Sequence, residues 1–590
     1  MNGIAFLRRC LAWVLVIGVA ISLPGCDLSQ FKTKTAQVPQ YVDSILSEPK
    51  TFNYSQSKES PNVFSLIYEG LITENGLTGE IEPALAESWE ISPDNLKIVF
   101  TLRPNLKWSD GEPLTVEDVV FTYQEIYLND AIPTDIRDVL KVGKSLSLPQ
   151  VSKVDERRVA FSIPEPFAPF LRTAGGLSIL PAHALRQFVK TLDAKGKPQF
   201  ISAWGVNTDP SKIIVNGPYQ LERYETNQRV VFRRNPYYWR YQIPGQAKGN
   251  IERIIWKIVE SSDTSLLQFR SGGLDSVSVR PSNFSLLKRE EQSKNFTIYE
   301  GGPDFGTTFI FFNLNRGRRN NKPLVNPIKS RWFNNVKFRQ AVAYAIDRQR
   351  ILINNYQGLG LLQNSPISVQ SPYYLSPEAG LKVYNHDPQK AKQLLKSAGF
   401  TYNNEGQLLD ADGNRVRFTL MAPTGPTGST LGAQIKQDLA KIGMQVDYTP
   451  IAFNTLVDKL DDSLDWDCAL MGLTGGIEPN SGANVWSIEG GLHMFNQKPV
   501  PPSEPIQGFI ASDWEKEIAD LYIAAAQELD ETQRKALYAK TQQITQEYLP
   551  FIYLINPLSL AAVRNDFEGI QYTALGGVTW NIYDLREVSD

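Results

Sequence analysis

The sequence predicts a mixed α/β protein assembled from several lobes, and three observations predict it. A chain of 590 residues exceeds what one hydrophobic core usually holds. At roughly 150 residues per domain, that length implies about three or four lobes. Strand-like and helix-like hydrophobic patterns alternate along it, and no repeat of about 20–50 residues points to a solenoid or propeller. A composition of 42% hydrophobic and 21% charged residues excludes a disordered or collagen-like chain. A net charge of −3 also argues against a general nucleic-acid binder, which needs a basic surface to displace counterions.

The elements announce themselves in order. Arg8 and Arg9 precede an uncharged apolar run, Leu11–Leu23, followed by Leu23-Pro24-Gly25-Cys26. The run is shorter than the roughly 20 residues needed to span a bilayer as a helix, so residues 1–25 read as a secretory leader. The tetrapeptide ending in Cys26 resembles the lipobox at which bacterial lipoproteins are lipidated and cleaved, although Pro24 is unusual there. An uncleaved membrane anchor is the alternative. Residues 26–40 are polar and read as a tether between lipid and body.

Lys97–Leu102 has β-rich, near-alternating content, and Thr115-Val116-Glu117-Asp118 fits a capping box ahead of a helix carrying Val119, Val120 and Tyr123. Val230–Phe232 and Ile254–Ile258 read as strands, and Thr307–Asn313 is the most apolar strand candidate of the body. Phe338, Ala341, Val342, Ala345 and Ile346 form a helical stripe. Asp387-Pro388 supplies a cap and first-turn proline for a helix with Ala391, Leu394, Leu395 and Ala398 on one face, closed by Gly399. Ile435, Leu439 and Ile442 line another helix before Gly443. Ile518, Leu521, Tyr522, Ala525 and Leu529 line a longer one. Such stripes are core-facing surfaces and imply no chemistry. Arg316, Arg318, Arg319, Lys322, Lys329 and Arg331 suggest a solvated basic loop, and Pro499–Pro505 a second irregular connection.

Signals for catalysis are sparse. The chain has three histidines, His183, His386 and His493, and three cysteines, Cys10, Cys26 and Cys468, with no metal-ligand spacing among them. After cleavage and lipidation Cys468 would stand alone, so no disulfide is expected within the body. No nucleophile elbow, phosphate-cradling loop or dinucleotide fingerprint occurs. Asp465-Trp466-Asp467 could place two carboxylates on one strand face, although a polar strand end explains it as well.

Several segments, in order, resemble one family. Tyr68-Glu69-Gly70-Leu71, Pro83–Trp89 and Leu102–Thr115 ("LRPNLKWSDGEPLT") come first. Gly217-Pro218-Tyr219, Arg234–Trp239 ("RNPYYW"), Phe333–Arg348, His386–Phe400, Ala433–Val446 and Arg534–Leu554 follow. Together they are similar to the family 5 solute-binding proteins of dipeptide and oligopeptide ABC transporters.

The resemblance implies a periplasmic-binding-protein-like α/β fold: two lobes joined by a hinge, with an extra domain inserted in the first. It implies lobe I at 41–75, 205–305 and 548–590, the inserted domain at 76–204, and lobe II at 306–547. Chain crossings are expected near Gly302–Phe312 and Glu547–Tyr553. The implied function is a lipid-anchored, extracytoplasmic receptor that captures peptides and delivers them to permease subunits driven by cytoplasmic ATPases. It would be no enzyme, and would have no cofactor and no nucleic-acid partner. The implied ligand-contacting residues are Asn53, Tyr54, Phe311, Asn313, Leu473, Thr474, Gly475, Glu478 and Trp486. Several receptors of this family hold a ligand's terminal ammonium with a loop aspartate. Gly476 stands in its place here, leaving Glu478 as the nearest carboxylate, either an anchor or a solvated loop acid. A different cargo (a nickel or haem chelate, or an oligosaccharide) and a secreted hydrolase are the alternatives.

Overall fold

The computed structural model describes residues 38–57, 62–134, 136–143, 145–244, 249–499 and 504–588. The leader, Cys26 and most of the tether lie outside them, as do Pro501 and Pro502.

Four principal sheets organise these residues. In the first, Gln40–Ile45 lies parallel to Arg253–Ile258, which pairs antiparallel with Arg229–Arg234 and through it with Tyr219–Glu225. The second is an antiparallel sheet in the order Ala86–Ile91, Lys97–Leu102, Arg158–Ser162, Gln150–Lys153, with the last strand in chain order inserted between the two before it. One continuous core, including Phe100, Trp108, Phe161, Tyr219 and Phe232, joins these two sheets. The third sheet sets Ile555–Arg564 between Ser276–Ser278 and Phe296–Pro303. It shares a smaller core with Val42, Val231 and Ile255 of the first. These three sheets make the first lobe.

The fourth sheet makes the second lobe. Its order is Gln445–Ile451, Arg417–Pro423, Cys468–Leu473, Thr307–Phe312, Phe551–Tyr553. Thr307–Phe312 has neighbours on both edges, and Phe309 to Phe312 are all buried. A central strand covered on both faces requires such a continuous apolar run. The helices over this sheet carry the local signals the sequence announces. Asn335 caps Val336–Ala345, and Asp387 accepts the Lys390 N–H at 2.9 Å to start Pro388–Ser397. Gly399, at φ +88°, ends the latter helix in a conformation that an L side chain disfavours.

Two passages connect the lobes. The chain leaves Phe296–Pro303 and enters Thr307–Phe312, and it returns directly from Phe551–Tyr553 into Ile555–Arg564. The passages run side by side. Asn556 Nδ2 donates to the carbonyls of Asp304 at 2.7 Å and Gly306 at 3.2 Å, and the Asp304 N–H donates to Pro557 O at 2.8 Å. Two adjacent crossings are the geometry of a hinge.

Some local expectations need correction. The capping box at Thr115–Asp118 forms, but its α-helix stops at Val120 and continues as a π-helical stretch, Phe121–Tyr127. The long helix ends at Gln527, so Leu529 falls past it and is exposed. The basic stretch is solvated at Arg316, Arg318, Lys322 and Arg331 but carries regular structure: Arg318–Arg319 pairs with Lys322–Pro323, and Lys329 and Arg331, on the helix Pro327–Phe333, reach Asp467 and Asp412, each at 2.6 Å. Asp465 and Asp467 do not act as a pair, because Asp467 is held by Lys329 and the Thr419 N–H while Asp465 is exposed.

Candidate binding cleft

In the first lobe the strand Gln40–Ile45 leads to a turn that Asn53 holds in place. Asn53 is buried, and its Nδ2 donates to Phe200 O at 2.8 Å and Ala203 O at 3.3 Å. It therefore anchors the next residue, Tyr54, which packs edge-on against Phe64 and lines a cavity of about 460 Å³. Glu69, Arg172, Arg240, Trp580 and Tyr583 also line this cavity. Burial raises the Glu69 carboxyl above its ordinary range, although Arg240 and hydrogen bonds from the Tyr238 hydroxyl and Trp239 Nε1 oppose the rise. Arg172 pairs with Glu74 at 2.5 Å and donates to Gly79 O at 3.0 Å.

The second lobe carries a tighter pocket of about 90 Å³ where the chain leaves Cys468–Leu473. Leu473, Thr474, Gly475, Glu478 and Trp486 all line it, and Phe309, Tyr522 and Tyr553 supply more of its aromatic wall. Trp486 is stacked on Tyr522, with ring centroids 6.0 Å apart. Glu478 is neither solvated nor free. Its carboxylate pairs with Arg534, accepts the Asn480 N–H at 3.3 Å and lies 3.5 Å from the Tyr538 hydroxyl. Arg534 also donates to the Tyr373 hydroxyl and lies over that ring. Burial raises the Glu478 carboxyl, opposed chiefly by Arg534.

Phe311 and Asn313 line neither cavity. Phe311 is fully buried against Trp466 and Phe551, and Asn313 Nδ2 donates to Leu464 O and Trp466 O at 3.0 and 3.2 Å. The pocket-facing residues of their strand are Thr307 and Phe309, nearer the crossing on the same face as Phe311. Their period-two spacing could have found them. Arg240 directly follows the motif Arg234–Trp239, but no local pattern marks Arg172, Tyr522 or Tyr583 as cavity residues.

The two lobes touch along one seam. Ala526, at the end of a second-lobe helix, packs into the first-lobe core, and its carbonyl accepts the Ala168 N–H at 2.7 Å. Gln527 donates to Glu165, and a Cβ at Gly79 would collide with Ile477. Arg172, lining the first cavity, is close enough to lower the pKa of Glu478, lining the second. Among the described residues no group of three His, Cys, Asp or Glu side chains could hold a metal. The histidines lie apart, on Asp110, Asp347 and Glu515. Cys468 is buried in the sheet, and burial pushes its thiol pKa up, away from the reactive thiolate.

Two lobes, a double crossing and a cavity in each lobe define a two-lobed solute-binding protein. The chain matches bacterial extracellular solute-binding proteins, family 5 Middle, over residues 80–492, and it belongs to that family. It is 29% identical to a probable ABC transporter-binding protein of Deinococcus radiodurans over 93% of each chain. It is 26% identical to a dipeptide-binding protein of Pseudomonas aeruginosa over 83% of each. Its fold is similar to that of the oligopeptide-binding protein AppA of Bacillus subtilis, solved with a nonapeptide. The TM-score is 0.71 at 22% identity, over 93% of this chain and 99% of that one.

Proposed function

We propose that the protein is an extracytoplasmic receptor that captures peptides in the interlobe cleft and hands them to an ABC permease driven by cytoplasmic ATPases. The observation that carries this reading is the pair of unlike cavities in the two lobes, a wide polar one and a tight aromatic one. A peptide offers the same backbone whatever its sequence, so the main chain at Leu473-Thr474-Gly475 can pair with it while side chains enter the cavities. The Pseudomonas relative named for dipeptides and the nonapeptide complex of the Bacillus neighbour support this cargo. In this reading Tyr54, Leu473, Thr474, Gly475 and Trp486 contact ligand, while Asn53, Phe311 and Asn313 hold the walls behind them. Glu478 shapes the pocket through Arg534 and offers no free carboxylate to an ammonium group.

Lobe I at 41–75, 205–305 and 548–590, an inserted domain at 76–204 and lobe II at 306–547 is the division we propose. We also propose lipid attachment at Cys26, supported by the lipobox-like tetrapeptide; no helix among the described residues is long and apolar enough to cross a membrane. Cys26→Ser should release folded protein from membranes, and full retention in the pellet would refute the anchor. Mass spectrometry of ligand co-purified with the full chain tests the cargo. Intact peptides support the reading, sugars or metal chelates would replace the cargo, and cleavage products would point to a hydrolase. Small-angle scattering should show a smaller radius of gyration at peptide saturation.

A further inference from the structure

The acids of the first-lobe cavity are all engaged, and one of its cations is in no ion pair among the described residues. Glu74 is paired with Arg172, Glu82 accepts Asn75 Nδ2 at 2.8 Å, and Glu69 accepts the Tyr238 hydroxyl and Trp239 Nε1. Arg240 has no carboxylate at ion-pairing distance among the described residues, although Glu69 is near enough to influence it. Its Nε is buried with no acceptor. The Tyr238 hydroxyl donates to Glu69 and lies close enough to the guanidinium to accept from it, and Asp584 is near enough to feel the Arg240 charge without pairing with it.

Other arginines without a carboxylate behave differently. Buried Arg339 donates to the carbonyls of Phe333 and Tyr548, and buried Arg348 to those of Gln363 and Tyr384. Arg240 instead lies over two aromatic rings, its guanidinium carbon 4.7 Å from the Trp239 centroid and 4.6 Å from that of Tyr583. Stacking fixes the plane of the fork while its edge remains available, and a fixed planar fork suits a carboxylate. Tyr583 and Arg240 both line the cavity, so the group is placed where ligand can reach it.

We infer that Arg240 receives a carboxylate of the ligand in the first-lobe cavity. Resting on the peptide reading above, that carboxylate is either the C-terminus or an acidic side chain. A charge-assisted contact of this kind, partly shielded from water, corresponds to about tenfold or more in affinity.

Calorimetry on the full chain tests it with three pools of tri- to pentapeptides: free acids, C-terminal amides, and amides containing one glutamate. The free acids should bind about tenfold or more tightly than the plain amides. Arg240→Gln should remove that preference, and Arg240→Lys should keep part of it, which guards against a merely structural loss. Glutamate-containing amides that bind like the acids identify a side chain as the source; binding like the plain amides identifies the terminus. Equal binding of acids and both amide pools, or a preference that survives in Arg240→Gln, would overturn the inference. If no pool binds, the peptide reading fails by itself, and glutarate then reads the site directly. A thermal midpoint raised by glutarate in the parent and not in Arg240→Gln supports the carboxylate site, and no rise in the parent overturns it.

Discussion

The first lobe holds a cavity of about 460 Å³ with a guanidinium in no ion pair, and the second a pocket of about 90 Å³ whose one acid is already paired. The second lobe repeats that habit elsewhere. Glu478 is held by Arg534, buried Glu515 by His493 and Asn496, and Asp438 by Arg350 and Lys441. In the first lobe Arg240 has rings where those groups have counter-ions. The difference teaches that a charged residue in a cleft is not thereby a ligand anchor. A charge satisfied from within the chain builds the wall, and one left unsatisfied can report the charge of whatever enters.

The comparison breaks most visibly if the Glu478–Arg534 pair is dispensable. Arg534→Met leaves a buried carboxylate without its cation, a loss on the order of 3–5 kcal/mol. Adding Glu478→Gln should recover much of it, because the two changes share one interaction. Urea unfolding followed by tryptophan fluorescence measures both. An unchanged midpoint in Arg534→Met would mean that Glu478 is available to ligand after all.

A smaller effect sharpens the contrast from the other side. An added Cβ at Gly476 meets nothing nearer than Ser481 Oγ at 4.0 Å, so packing does not exclude a side chain there. Gly476→Asp would supply the free acid that the second-lobe pocket lacks, and a hydrogen bond to a charged group contributes roughly 1.5–3 kcal/mol. Peptides with a free amino terminus should then gain on N-acetylated ones, whereas Glu478→Gln in the parent should affect both alike. Competition binding with the two peptide forms decides it.

The wall of the first-lobe cavity can be disturbed without touching its charges. Trp580 lies directly against Gly76, and a methyl group there would collide with the indole. Overpacking of this kind costs about 1–3 kcal/mol. Gly76→Ala should change the near-ultraviolet circular dichroism and weaken peptide binding, while leaving any preference for free acids over amides in place.

The smallest effect concerns pH. Burial of Glu515 opposes its charge, but hydrogen bonds from His493, Asn496 and the Ser512 N–H outweigh it and hold the carboxyl below its ordinary value of 4.5. A depressed folded value means that the ionised form contributes stability above the unfolded value, and this is lost as pH falls through the folded one. Glu515→Gln should therefore flatten the acid limb of the stability profile below pH 4.5, by about 1 kcal/mol. An acid limb identical to the parent's would remove Glu515 from the account.

Much of this protein follows from local pattern alone. The caps at Thr115, Asp387 and the Gly399 terminus depend on residues within a few positions, and the apolar run Thr307–Phe312 marks its own strand. The π-helical turn at Phe121–Tyr127 and the exposure of Leu529 escaped that reading. Hydrophobic spacing does not report how many residues a turn contains or where a helix stops packing. Charge was decided elsewhere. Glu478 meets its cation 56 residues later, and Arg240 lies against a ring contributed by Tyr583 from the C-terminal segment. A helix closes its hydrogen bonds with near neighbours, and a strand shows its burial in its own side-chain pattern even though its ladder partners lie far along the chain, so local sequence marks both. A side-chain charge is compensated or left open by whatever the fold brings beside it, and only the tertiary structure decides that.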